Sequence, residues 1–344
     1  MSRNSREIFR SREPALHCIF LPARKPTQKK DAVAIRAMRC VFFIKFSSMK
    51  NLFPFLIVFL LFSCKKERNN FVQKSENLVE KSEENQPVVE ISTPKINRDK
   101  NTVRERFDAP EGFKWKESIP NSYGHFIENF KLKPYGTKIL QYNGTPISNQ
   151  NMHDAVFDIS VGTRDLQQCA DAIIRLRAEY LKSTGKEDEI AFQYTSGDVL
   201  KWSAYKNGER LTVRGNTVSR AISATVDSSD EKFKNYLENI FMYAGTISQN
   251  RETKPITKNS DLKTGDILIT AGSPGHVVFI AGVSENKNGD RLYLLGEGFT
   301  PAQSISVMKN PNHPEISPWY ELDVNSEIIR TSRYVFKPVN FRRY

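Results

Sequence analysis

The sequence has few cysteines, no long apolar run and no phosphate-binding loop, and each absence excludes a class of protein. Four Cys among 344 residues are too few for a disulfide-stapled miniprotein. No apolar run reaches the ~20 residues of a membrane-spanning helix, which excludes a polytopic membrane protein. A loop of the G-x-x-x-x-G-K type is also missing. The hydrophobic content of 39% nevertheless supports a packed core.

Metal-binding patterns are missing as well. His125, His153, His276 and His313 are scattered along the chain, and neither an HxxxH nor a CxxC pair occurs. Such spacings are what places two ligands on one metal ion. We therefore expect no metal and no other cofactor.

The net charge of +12 suggests nucleic-acid binding until its position is considered. Residues 1–63 hold 12 basic and 3 acidic side chains, which leaves the remaining chain at +3. That remainder has no basic stripe interleaved with aromatic residues, as single-stranded nucleic acids require. We therefore expect no nucleic-acid partner.

A second Met begins a segment with the features of a signal peptide. Met49 precedes an unbroken apolar run, residues 52–62, which Ser63 and Cys64 follow. A helix of this length spans roughly 16 Å, about half a bilayer core, which indicates a signal peptide. A small residue before Cys at the end of such a run resembles the lipobox of bacterial lipoproteins. The resemblance implies cleavage before Cys64 and acylation of its sulfur and new amino terminus.

These features divide the chain into four segments. Residues 1–48 are interpreted as an upstream extension of the reading frame, with an unusual targeting leader as the alternative, and residues 49–63 as the lipoprotein signal peptide. Residues 64–106 contain the lipidated Cys and a charged tether, which we expect to be disordered because Phe71 is its only aromatic residue. Residues 107–344 are expected to form a single globular domain.

Two alternatives to this division stay open. The apolar run can instead be a buried helix that ends in an ordinary core thiol, although the polar residues after Cys64 argue against this. A short amphipathic helix over residues 72–79 competes with a disordered tether. If Cys64 is acylated, the next residue, Lys65, is not the Asp of inner-membrane retention signals, so we expect a lipid-anchored protein of the bacterial cell envelope, in the outer membrane and facing the periplasm.

The periodicity of the globular part predicts helices followed by a β-meander. Apolar residues at helical spacing predict one helix over residues 163 to about 182 and another over residues 230–243. Short apolar runs predict antiparallel strands over residues 265–270, 276–283 and 291–296. Residues 202–213 are interpreted as a hairpin turning at Asn207-Gly208. This order of elements predicts an α+β domain.

A lone thiol and a well-placed imidazole are the candidates for chemistry. Once Cys64 is acylated and the leader removed, Cys169 is the only thiol left and cannot form an internal disulfide. Its chemical use would be as a nucleophile, which needs a base. His276 opens a strand directly after a Gly/Pro turn, and Glu297 ends the next strand, where it can orient the ring. Alternatively, Cys169 is an inert core residue, His276 simply caps a strand and Glu297 is solvated.

This order of residues is similar to that of the papain-like cell-wall hydrolases of the NlpC and CHAP type. The matching segments are Gln168-Cys169-Ala170, Gly265-Asp266 and Gly275-His276-Val277, followed by Glu297. The resemblance implies N-terminal helices packed on a small antiparallel β-meander or barrel. It also implies a cysteine amidase or endopeptidase in which Cys169 attacks, His276 moves the proton, Glu297 orients His276, and backbone near Gln168 binds the oxyanion.

More of the chain, residues 113–336, looks like a family of bacterial lipoproteins known only as a domain of unknown function. The matching segments are Asp165-Leu166-Gln167-Gln168-Cys169-Ala170-Asp171, Arg175-Leu176-Arg177-Ala178-Glu179-Tyr180, Ser273-Pro274-Gly275-His276, Thr300-Pro301-Ala302-Gln303 and Ser317-Pro318-Trp319-Tyr320. This resemblance implies a fold without a substrate.

Two functions therefore remain open. The first is an envelope-anchored cysteine hydrolase whose substrates are peptidoglycan peptides or related amides. The second is a non-catalytic lipoprotein that binds a glycan, a peptide or a protein, for which exposed Trp115, Trp202 and Trp319 would be suitable.

Overall fold

The computed structural model describes residues 93–344. The predicted upstream extension, the signal peptide, Cys64 and the tether as far as residue 92 lie outside the described residues. Among residues 93–344, no helix is long and apolar enough to cross a membrane.

Most of the helices are short. They are α1 Val103–Arg106, α2 Tyr123–Glu128, α3 Cys169–Ser183, α4 Trp202–Lys206, α5 Asp230–Tyr243 and α6 Thr246–Glu252. Polar caps fix several of their starts: the Ser229 hydroxyl, for example, accepts the Lys232 N–H at 3.2 Å and begins α5.

The strands are equally short, apart from one of 11 residues. They are β1 Phe113–Trp115, β2 His153–Val156, β3 Ala191–Gln193, β4 Val199–Lys201, β5 Glu209–Arg214, β6 Thr217–Ile222, β7 Lys254–Pro255, β8 Ile267–Thr270, β9 His276–Asn286, β10 Arg291–Glu297, β11 Ser306–Met308, β12 Trp319–Tyr320, β13 Ile329–Arg330, β14 Val335–Phe336 and β15 Phe341–Arg343.

Nine of these strands form one antiparallel sheet. Its order is β2-β11-β10-β9-β8-β15-β7, with β1 added to β9 and β12 added to β10. The three central strands β8, β9 and β10 are the predicted meander. Three further pairs, β3–β4, β5–β6 and β13–β14, form separate two-stranded sheets.

The predicted α+β arrangement, with papain-like N-terminal helices on a small meander or barrel, is therefore wrong. The sheet is large, and because its order ends at β2 on one side and β7 on the other, it does not close into a barrel. Further strands extend the meander on both sides: β15, from the C-terminal end of the chain, pairs with β8, and β11 pairs with β10. These added strands have two to four residues, too few for a clear alternating pattern.

Both faces of the central strands are buried, and they contribute to different parts of the core. Val277 and Phe279 of β9 pack in the cluster that contains Ile173 of α3. The alternate residues Val278 and Ile280 pack in a second cluster with Phe336 of β14. This division follows the two-residue period of a strand. α3 thus lies on one face of the sheet.

The structure also corrects two local predictions. α3 begins at Cys169, not at residue 163. Leu166, in the preceding loop, packs against the core cluster that contains Ile174 of α3, so it continues the apolar spacing of the helix without being part of it. Residues 202–206 form α4 instead of the first strand of a hairpin. A hairpin follows α4. It pairs β5 with β6 and turns at residues 215–216, between Arg214 and Thr217, instead of at Asn207-Gly208.

Candidate active site

Cys169 is the first residue of α3. Gln168 before it is extended, with a φ of −86° and a ψ of −157°, and its N–H donates to the Asp171 carboxylate at 3.1 Å. The carboxylate of the third helical residue thus fixes the start of the helix. As a result the sulfur lies at the positive end of the helix dipole, where an anion is favoured.

Burial and local donors act on the sulfur in opposite directions. Cys169 is 8% exposed, and burial, followed by the charge of Asp171, raises the pKa of its thiol to about 11. The backbone N–H groups of Ala170, Val277 and Cys169 itself favour the thiolate and lower that pKa. The burial effect is larger, so the resting thiol is neutral at pH 7.

His276 begins β9 beside this sulfur, since Val277, whose N–H acts on the thiol, is the next residue. Its Nε2 lies 3.0 Å from Glu297 Oε2. The ring packs against Tyr334, with centroids 4.8 Å apart, and against Phe299, with centroids 5.0 Å apart. With Nε2 bound to a carboxylate, Nδ1 is the nitrogen left free to take a proton.

Glu297 is held by a second partner that sequence reasoning missed. Its side chain is 1% exposed and its Oε1 accepts from Arg333 Nε. Arg333 in turn donates from Nη1 to Gln303 Oε1 at 2.8 Å. This bridge compensates the buried carboxylate charge and fixes its orientation. No local pattern marks Arg333, which comes 36 residues after Glu297 in the chain.

The structure brings Cys169, His276 and Gln168 to one cleft of about 650 Å³. The apolar lining comes from Phe241, Met242, Phe299 and Tyr334, among others. Within the part of the chain that the structure describes, no hydrogen bond joins the Cys169 sulfur to the His276 ring. The two groups thus share a concave site without a hydrogen bond between them, and hydrogen bonds of catalytic groups are often long or absent in unliganded sites.

Gln168 takes part in the site through the loop that follows β10. Its Oε1 accepts from the Thr300 hydroxyl at 3.1 Å, and its Nε2 donates to Asp165 at 3.1 Å. The backbone of this loop is close to the helix start: a Cβ on Gly298 would lie 3.0 Å from the Gln168 carbonyl oxygen. The side chain of Gln168 is thus partly engaged, whereas the N–H groups at the start of α3 have no carbonyl of an earlier turn to bind.

Asp171 is a buried acid of this cleft that the sequence alone does not indicate as functional. It is 6% exposed, and its Oδ1 is buried without a hydrogen-bond partner. Burial raises the pKa of this carboxyl well above its ordinary value. Burial thus favours the neutral form of Asp171, and any charge that this carboxyl carries disfavours the thiolate of Cys169.

The described residues contain no cluster of metal-ligating side chains. Within residues 93–344, no group of three or more His, Cys, Asp or Glu side chains is arranged to hold a metal ion.

Comparison with known proteins assigns the chain to a family. The family described as "Domain of unknown function (4846)" matches residues 103–343 of the 344. The chain belongs to this family. Its matched region includes Cys169, His276, Glu297 and Arg333, so all of the residues of the cleft lie inside the domain. No curated protein and no solved structure matches the chain significantly.

Proposed function

We propose that this protein is a cysteine hydrolase that cleaves amide bonds, in cell-wall peptides or related amides, and that Cys64 anchors it in the bacterial envelope. The observation that carries the catalytic part is the 3.0 Å contact between His276 and Glu297 in the cleft that also contains the Cys169 thiol. A thiol, an imidazole and an orienting carboxylate are the groups that acyl transfer requires.

In the proposed reaction the thiol proton passes to His276 Nδ1 as the sulfur attacks the amide carbonyl. The C–N bond breaks, the leaving amine takes that proton from the imidazole, and a thioester to Cys169 remains. Water then gives a proton to His276 and hydrolyses the thioester, which releases a carboxylic acid and restores the thiol. The N–H groups near Cys169 stabilise the oxyanion in both steps, and Glu297 stabilises the imidazolium.

The fold does not oppose this proposal. Thiol–imidazole–carboxylate sites occur on unrelated folds and are recognised by geometry. Because the resting thiol is neutral, the proposal requires His276 to act as a general base during attack instead of a preformed thiolate–imidazolium pair.

The second candidate function is a non-catalytic binding protein, and the high pKa of Cys169 favours it. Two of the three tryptophans for which the sequence suggests an exposed binding role do not support it. Trp202 and Trp319 are 1% and 0% exposed, so their rings are not available for stacking on a sugar.

The two candidates are separated by the reactivity of Cys169. We expect iodoacetamide to modify Cys169 of the purified protein at pH 7 at least ~10-fold faster than in the His276→Ala variant, because a positioned base contributes a factor of this order or more. Peptide mass spectrometry identifies the modified thiol. His313→Ala is the matched control, since His313 is half exposed and its ring pairs with Glu315.

Hydrolysis is then tested with purified peptidoglycan and mass analysis of the released fragments. Wild type and His313→Ala should release fragments with new amino and carboxyl termini, whereas Cys169→Ala and His276→Ala should release none. Equal, slow alkylation in wild type and His276→Ala, together with no release by wild type, would favour the binding protein.

A further inference from the structure

A second cavity, of about 380 Å³, lies beside α2 and the middle of α3. Its lining includes Tyr123, Arg177, Tyr180, Lys263 and Tyr344, and it shares no lining residue with the cleft of Cys169. A volume of this size is that of a small-molecule site.

The floor of this cavity contains a guanidinium among tyrosine rings. The Cζ atom of Arg177 lies 5.3 Å from the ring centroid of Tyr123, 5.4 Å from that of Tyr180 and 6.0 Å from that of Tyr344. Within residues 93–344, Arg177 makes no hydrogen bond and has no carboxylate within 4.0 Å. Arg175 on the same helix differs, since its Nε pairs with Glu179 at 2.7 Å. The donors of Arg177 are thus not engaged by any acceptor within residues 93–344.

The Tyr123 hydroxyl adds a second unused donor. It is buried and has no hydrogen-bond partner, and burial raises the pKa of Tyr123, so the hydroxyl keeps its proton. The ring is held against Gly265: a Cβ at that glycine would lie 2.7 Å from Tyr123 Cδ1. An unpaired buried hydroxyl costs free energy, and an acceptor in the cavity would remove that cost.

Charges around the cavity favour an anion. Among the lining carboxylates, Asp266 pairs with Arg343 and Glu117 pairs with Arg104. Lys263 and Lys186 are exposed at the mouth, opposed by the exposed Glu189. Arg177, Lys186 and Lys263 therefore carry positive charges that no salt bridge within residues 93–344 compensates. They outnumber the negative charge of Glu189.

From these observations we infer that the cavity binds a small soluble organic anion, with a carboxylate or phosphate head and a flat apolar body. The head accepts hydrogen bonds from Arg177 and from the Tyr123 hydroxyl, as guanidinium groups bind such anions in pairs of hydrogen bonds. The body lies against the tyrosine rings, where stacking and apolar contact stabilise it. This inference is independent of the reaction proposed for Cys169.

Isothermal titration calorimetry with phenyl phosphate and with benzoate tests the inference. We expect wild type to bind at least one of the two probes, and Arg177→Gln to bind it ~10-fold more weakly or worse, because a charge-assisted hydrogen bond is lost. Arg175→Gln is the matched control and should bind as wild type does. No binding of either probe by wild type, or equal weakening in both variants, would overturn the inference.

Tyr123→Phe separates binding from folding. This variant keeps the ring and removes a hydroxyl that has no partner in the protein, so its unfolding temperature without ligand should equal or exceed that of wild type. Its affinity for the bound probe should fall severalfold. An unchanged affinity would contradict the assigned role of the hydroxyl.

Vesicles distinguish a soluble anion from a lipid headgroup. Wild type should not sediment with phosphatidylglycerol vesicles through Arg177, because the site is a cavity of limited volume. Sedimentation that Arg177→Gln abolishes, without binding of phenyl phosphate or benzoate, would overturn the assignment of a soluble ligand.

Discussion

At the scale of single residues, the candidate site contains two buried carboxyls with different partners. Glu297 is bound by Arg333 and His276, whereas Asp171 has only the backbone N–H groups of Gln168 and of Asp171 itself to offset its burial. Burial therefore raises the pKa of the Asp171 carboxyl well above its ordinary value.

Outside the cleft, Glu252 is an acid whose burial should be measurable as pH-dependent stability. One oxygen accepts the Gln193 N–H and the other is buried without a partner, and burial raises the pKa of Glu252 from 4.5 to about 7. The folded state holds this proton more tightly than the unfolded state does. The stabilisation is therefore present in full below pH 4.5 and is lost as the pH rises to about 7.

We expect Glu252→Gln to remove this loss. Between pH 4.5 and 7, the free energy of unfolding of wild type should fall by roughly 2 kcal/mol more than that of the variant. Urea unfolding across this range measures the difference. Glu189→Gln, at an exposed position, is the control and should follow wild type. Parallel curves for wild type and Glu252→Gln would show that the Glu252 carboxyl is not perturbed.

At the scale of elements, strong local periodicity was predictable and long-range assembly was not. The helix predicted over residues 230–243 is α5 with the same bounds, and the three strands of the meander are present. Two-residue strands such as β7 and β12 have no period to detect. They exist because an exposed sheet edge is available to pair with, which depends on the whole fold.

The same distinction applies to the candidate site. Cys169 and His276 were named from residue type and order, since a lone thiol and a His after a Gly/Pro turn are visible in the sequence. Arg333 and Asp171 were not named for the site. Arg333 reaches Glu297 only through the folding of the C-terminal segment, and the burial of the Asp171 carboxyl likewise depends on the whole fold.

We expect the loop after β10 to fix the position at which α3 begins. A substitution at Gly298, in this loop, tests the expectation. A Cβ at this residue would lie 2.7 Å from Ala172 Cβ and 3.0 Å from the Gln168 carbonyl oxygen. We expect Gly298→Ala to destabilise the protein by about 1–3 kcal/mol through overpacking. It should also slow the alkylation of Cys169, because the helix start must move.

Chemical denaturation and alkylation rates measure the two effects of Gly298→Ala. Gly245→Ala is the matched control, since Gly245 also lines the cleft and a Cβ there meets no atom within 4 Å. Loss of stability in both variants to the same extent would contradict a specific contact between the loop and α3.

At the scale of the whole molecule, the family match begins at residue 103 and leaves the proposed anchor outside the domain. The residues that line the cleft of Cys169 and those that line the second cavity, beside α2 and α3, all lie inside residues 103–344. Anchoring and chemistry are therefore expected to be separable. A tether between them would let the domain act at a distance from the membrane surface.

Cys64→Ser tests this separation in a bacterial host. Each buried acyl CH₂ contributes ~0.8 kcal/mol to membrane binding, so loss of the acyl chains should move the protein from the membrane fraction to the soluble fraction. Alkylation of Cys169 by iodoacetamide should be unchanged. Cys40→Ser, upstream of the proposed cleavage, is the control and should stay in the membrane fraction. If Cys64→Ser also stays there, and mass analysis finds no acylated peptide in wild type, acylation of Cys64 is not the means of attachment.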